Sequence, residues 1–170
     1  MERVRRQTIF DDWLRAHEGL LFRIVRAYAF TPQDREDLLQ DIALQLWNSI
    51  PSFRGESKVT TWIYRVALRS AMAWSQRERT HRDTKQPLAE PGHVPAPSPA
   101  ALDPRLDWIY AQIAKLEPVE RSLIVLHLDG LSYREIADTL GISEGNVGVK
   151  LSRIKKALAS ESPVRLRHGL

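Results

Sequence analysis

The stretch LSYREIADTLGISEGNVGVKLSRIKKAL, residues 131–158, decides the fold, because it encodes two helices joined by a tight turn. Ser132 can cap a helix with its side chain, and Glu135 stands three residues on, so Ser132-Tyr133-Arg134-Glu135 has the form of a capping box. Ile136, Ala137 and Leu140 give this short helix one apolar face, and Gly141 supplies the permissive backbone that a sharp turn needs. Ser143 then caps a second helix, in which Val147, Leu151, Ile154 and Leu158 recur at helical spacing. Asn146, Lys150 and Arg153 fall together on the opposite side. One face packs and the other is free to enter a major groove, which is the pattern of a helix-turn-helix rather than of a plain helical hairpin.

Outward from this motif, the 170 residues are 43% hydrophobic and 27% charged, an ordinary balance for one or two globular domains. A net charge of +4 favours a polyanionic partner without identifying one. The sequence has no cysteine, which excludes disulfides, thiolate zinc sites, cysteine nucleophiles and thiol redox sensing within it. MERVRRQTIFDDW at the start is basic but is not followed by an apolar run of signal-peptide length, and no segment is long and apolar enough for a bilayer span. The expected location is the cytoplasm, with no membrane insertion.

The clearest boundary is QPLAEPGHVPAPSPAALDP, residues 86–104, with prolines at 87, 91, 95, 97, 99 and 104. It cannot form a continuous helix or strand and reads as a flexible Pro/Ala-rich linker between two separately packed halves. The expected fold is all-α. A first helical domain spans 1–85 and a second, four-helix domain carrying the helix-turn-helix spans 105–162, with a tail at 163–170.

In the first domain, Phe10, Trp13 and Leu14, then Leu20, Leu21, Ile24, Val25 and Tyr28, predict two helices with Gly19 between them. Thr31-Pro32 starts a third, with Asp34, Glu36 and Asp37 complementing its dipole. That helix is expected to run toward Ile50, burying Leu39, Ile42, Leu46 and Ile50. A loop follows Pro51, and a long helix runs from about Thr60 to Arg79 with Trp62, Val66 and Ala67 as core positions. In the second domain, Leu106, Ile109, Ile113 and Leu116 mark one helix and Glu117-Pro118 opens another that reaches Leu128.

Charge is unevenly spread. Between Arg54 and Arg82 stand Arg54, Lys58, Arg65, Arg69, Arg77, Arg79 and Arg82, against only Glu56 and Glu78, and the same segment carries Phe53, Trp62, Tyr64 and Trp74. Cations interleaved with rings suit unpaired nucleic acid, since arginines hold phosphates while rings stack on bases. Ahead of it, residues 34–41 hold four acids and one arginine, a stripe that repels phosphates and suggests a docking face for a protein.

The runs REDLLQDIALQLW (35–47), SFRGESKVTTWIYRVALRSAMAWSQRER (52–79) and LEPVERSLIVLHLDGLSYREIADTLGISEGNVGVKLSRIKKAL (116–158) together resemble a bacterial RNA polymerase sigma factor of the sigma-70 family, in its small two-domain extracytoplasmic-function (ECF) group. The resemblance covers most of residues 10–158 and implies an alternative sigma factor that binds core polymerase and directs promoter-specific initiation. It implies docking of the acidic helix, through Asp34, Asp37, Gln40 and Asp41, on the clamp helices of the largest subunit, with a further contact to the polymerase flap. It implies that Phe53, Arg54, Lys58, Trp62, Tyr64, Arg65, Arg69 and Arg77 serve a melted minus-ten element. It implies that Glu144, Asn146, Val149, Lys150 and Arg153 read a duplex minus-thirty-five element, with Lys155 and Lys156 on phosphates. An anti-sigma factor is a further partner that the family implies.

The sequence departs from the family's common pattern at Arg69 and Ala73, where an asparagine and an aspartate are frequent, and at Gly148, where a basic residue is. A glycine within a helix costs roughly 1 kcal/mol relative to alanine, and close approach to DNA or a partner would be a reason for it. The alternative function is a stand-alone helix-turn-helix regulator whose first domain is a dimer or ligand module. Catalysis is not expected, nor is a cofactor or a metal: the five histidines, His17, His81, His93, His127 and His168, are scattered, and no phosphate loop or nucleophile motif accompanies them.

Overall fold

In a computed structural model, the structure describes residues 2–84 and 104–161, which form eight α-helices and, among the described residues, no strand. The first half holds α1 (Glu2–Ala16), α2 (Glu18–Tyr28), α3 (Pro32–Ser49) and α4 (Val59–Thr84), with a 3-10 turn at Ile50–Ser52. The second holds α5 (Pro104–Ile113), α6 (Pro118–Leu128), α7 (Tyr133–Leu140) and α8 (Glu144–Glu161). The all-α expectation and the four-helix second half hold. The linker and the tail at 163–170 lie outside the described residues, except that Pro104, read as the linker's last residue, is the first residue of α5.

The caps explain most boundaries. Thr31 Oγ accepts a hydrogen bond from the Asp34 N–H at 3.1 Å, and Pro32 occupies the first turn of α3, where its missing donor costs nothing. Pro118 does the same for α6, with the Glu120 carboxylate accepting from the Glu117 N–H at 3.3 Å. The break between α1 and α2 falls at His17, not at Gly19, which is helical. His17 stands at that corner with one ring nitrogen 3.0 Å from the Trp13 carbonyl and the other 3.2 Å from Thr60 Oγ, so side-chain bonding fixes the bend without a glycine.

Two core readings are corrected. In α3 the buried residues are Leu38, Ile42 and Leu46, while Leu39 is 38% exposed and Ile50 is half-buried. Leu38 and Leu39 both fit a helical stripe with Ile42, and the position of α4 decides between them. In α4 the buried apolar residues are Ile63, Tyr64, Ala67, Leu68 and Ala71, with Trp62 and Val66 only half-buried. That helix packs against α3 and α2 on its own side and against α6 and α7 of the other half, so its buried face is wider than one stripe.

The halves expected to pack separately therefore touch. Tyr28, 2% exposed, donates its hydroxyl to the Pro118 carbonyl and shares a hydrogen bond with Ser122 Oγ at 2.7 Å. Burial, eased by Ser122, raises its hydroxyl pKa to about 12, so it stays a donor at neutral pH. The Arg121 guanidinium lies over the rings of Tyr28 and Phe30, 5.6 and 5.4 Å from their centroids. No buried side-chain polar atom among the described residues lacks a partner, as a settled interface requires.

Candidate nucleic-acid interface

The helix-turn-helix is built as its sequence prescribes. Ser132 Oγ accepts from the Glu135 N–H at 3.2 Å while the Glu135 carboxylate accepts from the Ser132 N–H at 2.9 Å, closing the capping box. The backbone and hydroxyl donors of Ser132 hold the Glu135 carboxyl below the usual glutamate range, so the box is intact at neutral pH and is lost as pH falls into the acid range. Gly141 ends α7 at φ +70°, a left-handed conformation that a side chain would strain. Ser143 Oγ accepts from the Asn146 N–H at 3.2 Å and starts α8.

Val147, Leu151 and Ile154 are buried beneath α6 and α7, which turns the other side of α8 outward. Glu144, Asn146, Val149, Arg153, Lys155 and Lys156 are exposed and Lys150 is half-exposed, so all seven predicted reading residues reach the surface of one helix. Val149 is 60% exposed. Gly148 is not a left-handed position: a Cβ there would lie 3.6 and 3.7 Å from two Tyr133 ring carbons, ordinary contact. Nothing among the described residues therefore requires a glycine there.

In the first half, α3 and α4 leave an open groove of about 640 Å³ between them, whose lining includes Asp41, Trp62, Arg65, Arg69, Ala73 and Arg77. Four of the eight predicted minus-ten residues meet here, beside one docking acid. Arg77 is ion-paired with that acid, Asp41, and Trp62 donates its indole N–H to Ser49 Oγ at 3.0 Å. Both departures from the family pattern in this helix, Arg69 and Ala73, lie on the groove. Arginine adds a cation there, and alanine removes the acid that would oppose a phosphate.

The remaining predicted residues do not join them in one site. Phe53 is half-buried, packed edge-on against Trp13 at 5.4 Å and tilted against Trp62 at 5.5 Å, so this ring anchors the loop to the core. Arg54 and Lys58 are exposed on that loop. Tyr64 is 4% exposed and donates to Asp129 of the second half at 2.7 Å, and burial together with that carboxylate raises its pKa strongly. In this arrangement it does not face the groove. On the docking stripe, Asp37 and Gln40 are exposed while Asp34 and Asp41 are half-buried. Sequence reasoning missed Gln45, Asn48 and Ser70, polar groove residues that carry no charge signal. It also missed the part played by Arg23 and Asp129, whose pairing joins helices distant in sequence.

Among the described residues no cluster of potential ligands could hold a metal ion, and no helix is long and apolar enough to cross a membrane.

Residues 13–80 match the family model for sigma-70 region 2, and residues 106–158 match that for sigma-70 region 4. The chain is 29% identical over 152 residues to the ECF RNA polymerase sigma factor SigM of Mycobacterium tuberculosis, covering 88% of this chain and 75% of that relative. It is 28% identical over 155 residues to the ECF RNA polymerase sigma-E factor of Haemophilus influenzae, covering 84% and 79%. The fold is similar to that of the sigma factor RpoE solved with the anti-sigma factor NepR from Bartonella quintana, with a TM-score of 0.69 at 22% identity over 89% of this chain and 94% of that one.

Proposed function

This chain belongs to the sigma-70 family, in its extracytoplasmic-function group, and we propose that it binds core RNA polymerase and directs initiation at a two-element promoter. The observation that supports this reading is that one chain carries two surfaces of different shape that are rich in cations, an exposed helix face and a groove. The outer face of α8 has the shape and the donors for a duplex major groove, where Asn146 and Glu144 meet base edges and Lys150, Arg153, Lys155 and Lys156 meet bases or phosphates. The groove between α3 and α4, with Trp62, Arg65, Arg69 and Arg77, suits unpaired bases and their phosphates. Capture of an unstacked base there offsets the cost of melting. Arg54 and Lys58 on the adjoining loop extend the same strand path.

Asp34, Asp37, Gln40 and Asp41 form the docking edge for the polymerase clamp helices. The polymerase supplies the nucleotide chemistry, and the protein acts with it in the cytoplasm. An anti-sigma partner would act by covering these same surfaces. A stand-alone regulator would need only the duplex surface and would leave the groove without a use.

The direct test is co-elution of the purified chain with core RNA polymerase in gel filtration, followed by titration of wild type and Asp37→Arg. A complex is expected, weakened about tenfold by the reversed charge, ~1.4 kcal/mol. No complex, or equal affinity for both proteins, would count against docking through this edge.

A further inference from the structure

We infer that Gln45 and Asn48 of α3 are base-reading residues of the groove, selecting adenine at one or two positions of the strand that lies in it. The inference rests on the proposed reading of the groove as the site of a melted strand, and adds to it the residues that choose sequence.

The groove has two chemically different walls. Along α4, Trp62, Arg65, Arg69, Ala73 and Arg77 follow one another at intervals of three and four residues, so they share one helix face. This wall holds three arginines and no acid. Along α3, Asp41, Gln45 and Asn48 follow at the same intervals and line the other side, and no lining residue from α3 is a cation. A strand laid in the groove therefore has one favourable orientation. Its phosphates lie on the arginines of α4 and its bases turn toward α3, where an acid would repel phosphate oxygens.

Of the uncharged polar residues on the groove, the two amides are the ones available to a ligand. Ser49 Oγ donates to the Leu46 carbonyl and accepts from the Trp62 indole, and Ser70 donates to the Val66 carbonyl at 3.0 Å. Those hydroxyls serve the fold, and Ser49 holds the half-buried Trp62 ring on the wall as a stacking face for a base. Gln45 and Asn48 are exposed, and neither makes a hydrogen bond or an ion pair among the described residues. Asp41, one turn before Gln45, is occupied by Arg77.

Spacing and chemistry set what the amides can take. Three residues of helix rise about 4.5 Å, close to the step of about 3.4 Å between stacked bases along one strand. The pair therefore meets one base or two neighbours, not a whole element. A carboxamide sets an acceptor beside a donor, and adenine answers both, because its N6 amino group donates while a ring nitrogen accepts. Adenine repeats that order on its Watson–Crick edge and on its Hoogsteen edge. An unpaired adenine is thus matched whichever edge it turns to the wall, which is true of no other base.

The test uses holoenzyme formed from core RNA polymerase and the full chain, with forked DNA whose single-stranded tail is randomised and whose bound molecules are sequenced. Wild type should enrich adenine about tenfold at one position of the tail or at two adjacent ones. Gln45→Ala and Asn48→Ala combined should flatten the preference there, preserve it elsewhere and leave the salt slope unchanged. Arg69→Ala should do the reverse, keeping every preference while affinity falls for all sequences and the log–log salt slope becomes shallower by about 0.7. All three substituted residues are exposed, so both variants should fold and co-elute with core polymerase. A double variant that no longer co-elutes would place the amides on the polymerase and overturn the inference. Unchanged preference, or an equal loss of binding for every sequence, would overturn it alone. A wild-type holoenzyme that forms but enriches no base would overturn it together with the reading of the groove on which it rests.

Discussion

Gly148 shows how a residue's meaning depends on what surrounds it. As a glycine within a recognition helix it suggested close approach by DNA or a partner. Its surroundings within the chain do not demand a glycine, with the Tyr133 ring at ordinary contact distance from where a Cβ would stand and a backbone that is not left-handed. Gly148→Ala should therefore gain helix propensity without a clash and stabilise the protein by about 0.5–1 kcal/mol in urea denaturation. A loss of stability would mean that Tyr133 cannot tolerate even a methyl group. Tyr64 makes the complementary point. In sequence it was one more ring among cations, but its place on α4 turns it from the groove toward Asp129. Nothing local to Tyr64 distinguishes these two directions, because the partner lies 65 residues away.

At the scale of elements, the helices with strong local signals were legible and the phases set by distant partners were not. Thr31-Pro32, Glu117-Pro118, Ser132 with Glu135, and Gly141 each satisfy backbone groups within a few residues, so their effect is written where they stand. The choice of Leu38 over Leu39, and of Ile63 over Trp62, belongs to packing between helices, where two neighbouring apolar residues offer equally good stripes. Helix α8 was legible as an element because Val147, Leu151 and Ile154 recur at helical spacing and set its buried face. Its charges lead to a prediction for α8 as a unit. With Lys150→Ala and Arg153→Ala combined, binding to a duplex carrying the upstream element should weaken, and the log–log salt slope should become shallower by about 2 if each cation neutralises one phosphate. An unchanged slope with weakened binding would move both residues from phosphates to bases or to packing.

For the whole molecule, the two-part plan was readable from the proline-rich segment, the helix-turn-helix and the two charge blocks. The contact between the parts was not, since ion pairs such as Arg23–Asp129 and Arg26–Asp107 join residues with no shared local pattern. Those pairs bring the helix-turn-helix half against the first half, so in this arrangement it is not an isolated module. The exposed members of the set, such as Lys58–Glu135, contribute little, so the buried Asp129 and Tyr28 contacts hold the two halves together. Under the proposed function, this chain confers promoter choice on a core polymerase that lacks it. The most direct measurement is to transcribe bacterial genomic DNA in vitro with core RNA polymerase, with and without the purified chain, and to map transcript 5′ ends. A new set of starts is expected, each preceded by a common pair of elements at a fixed separation and absent without the chain. Start sites that are the same with and without it would rule out a role in promoter choice.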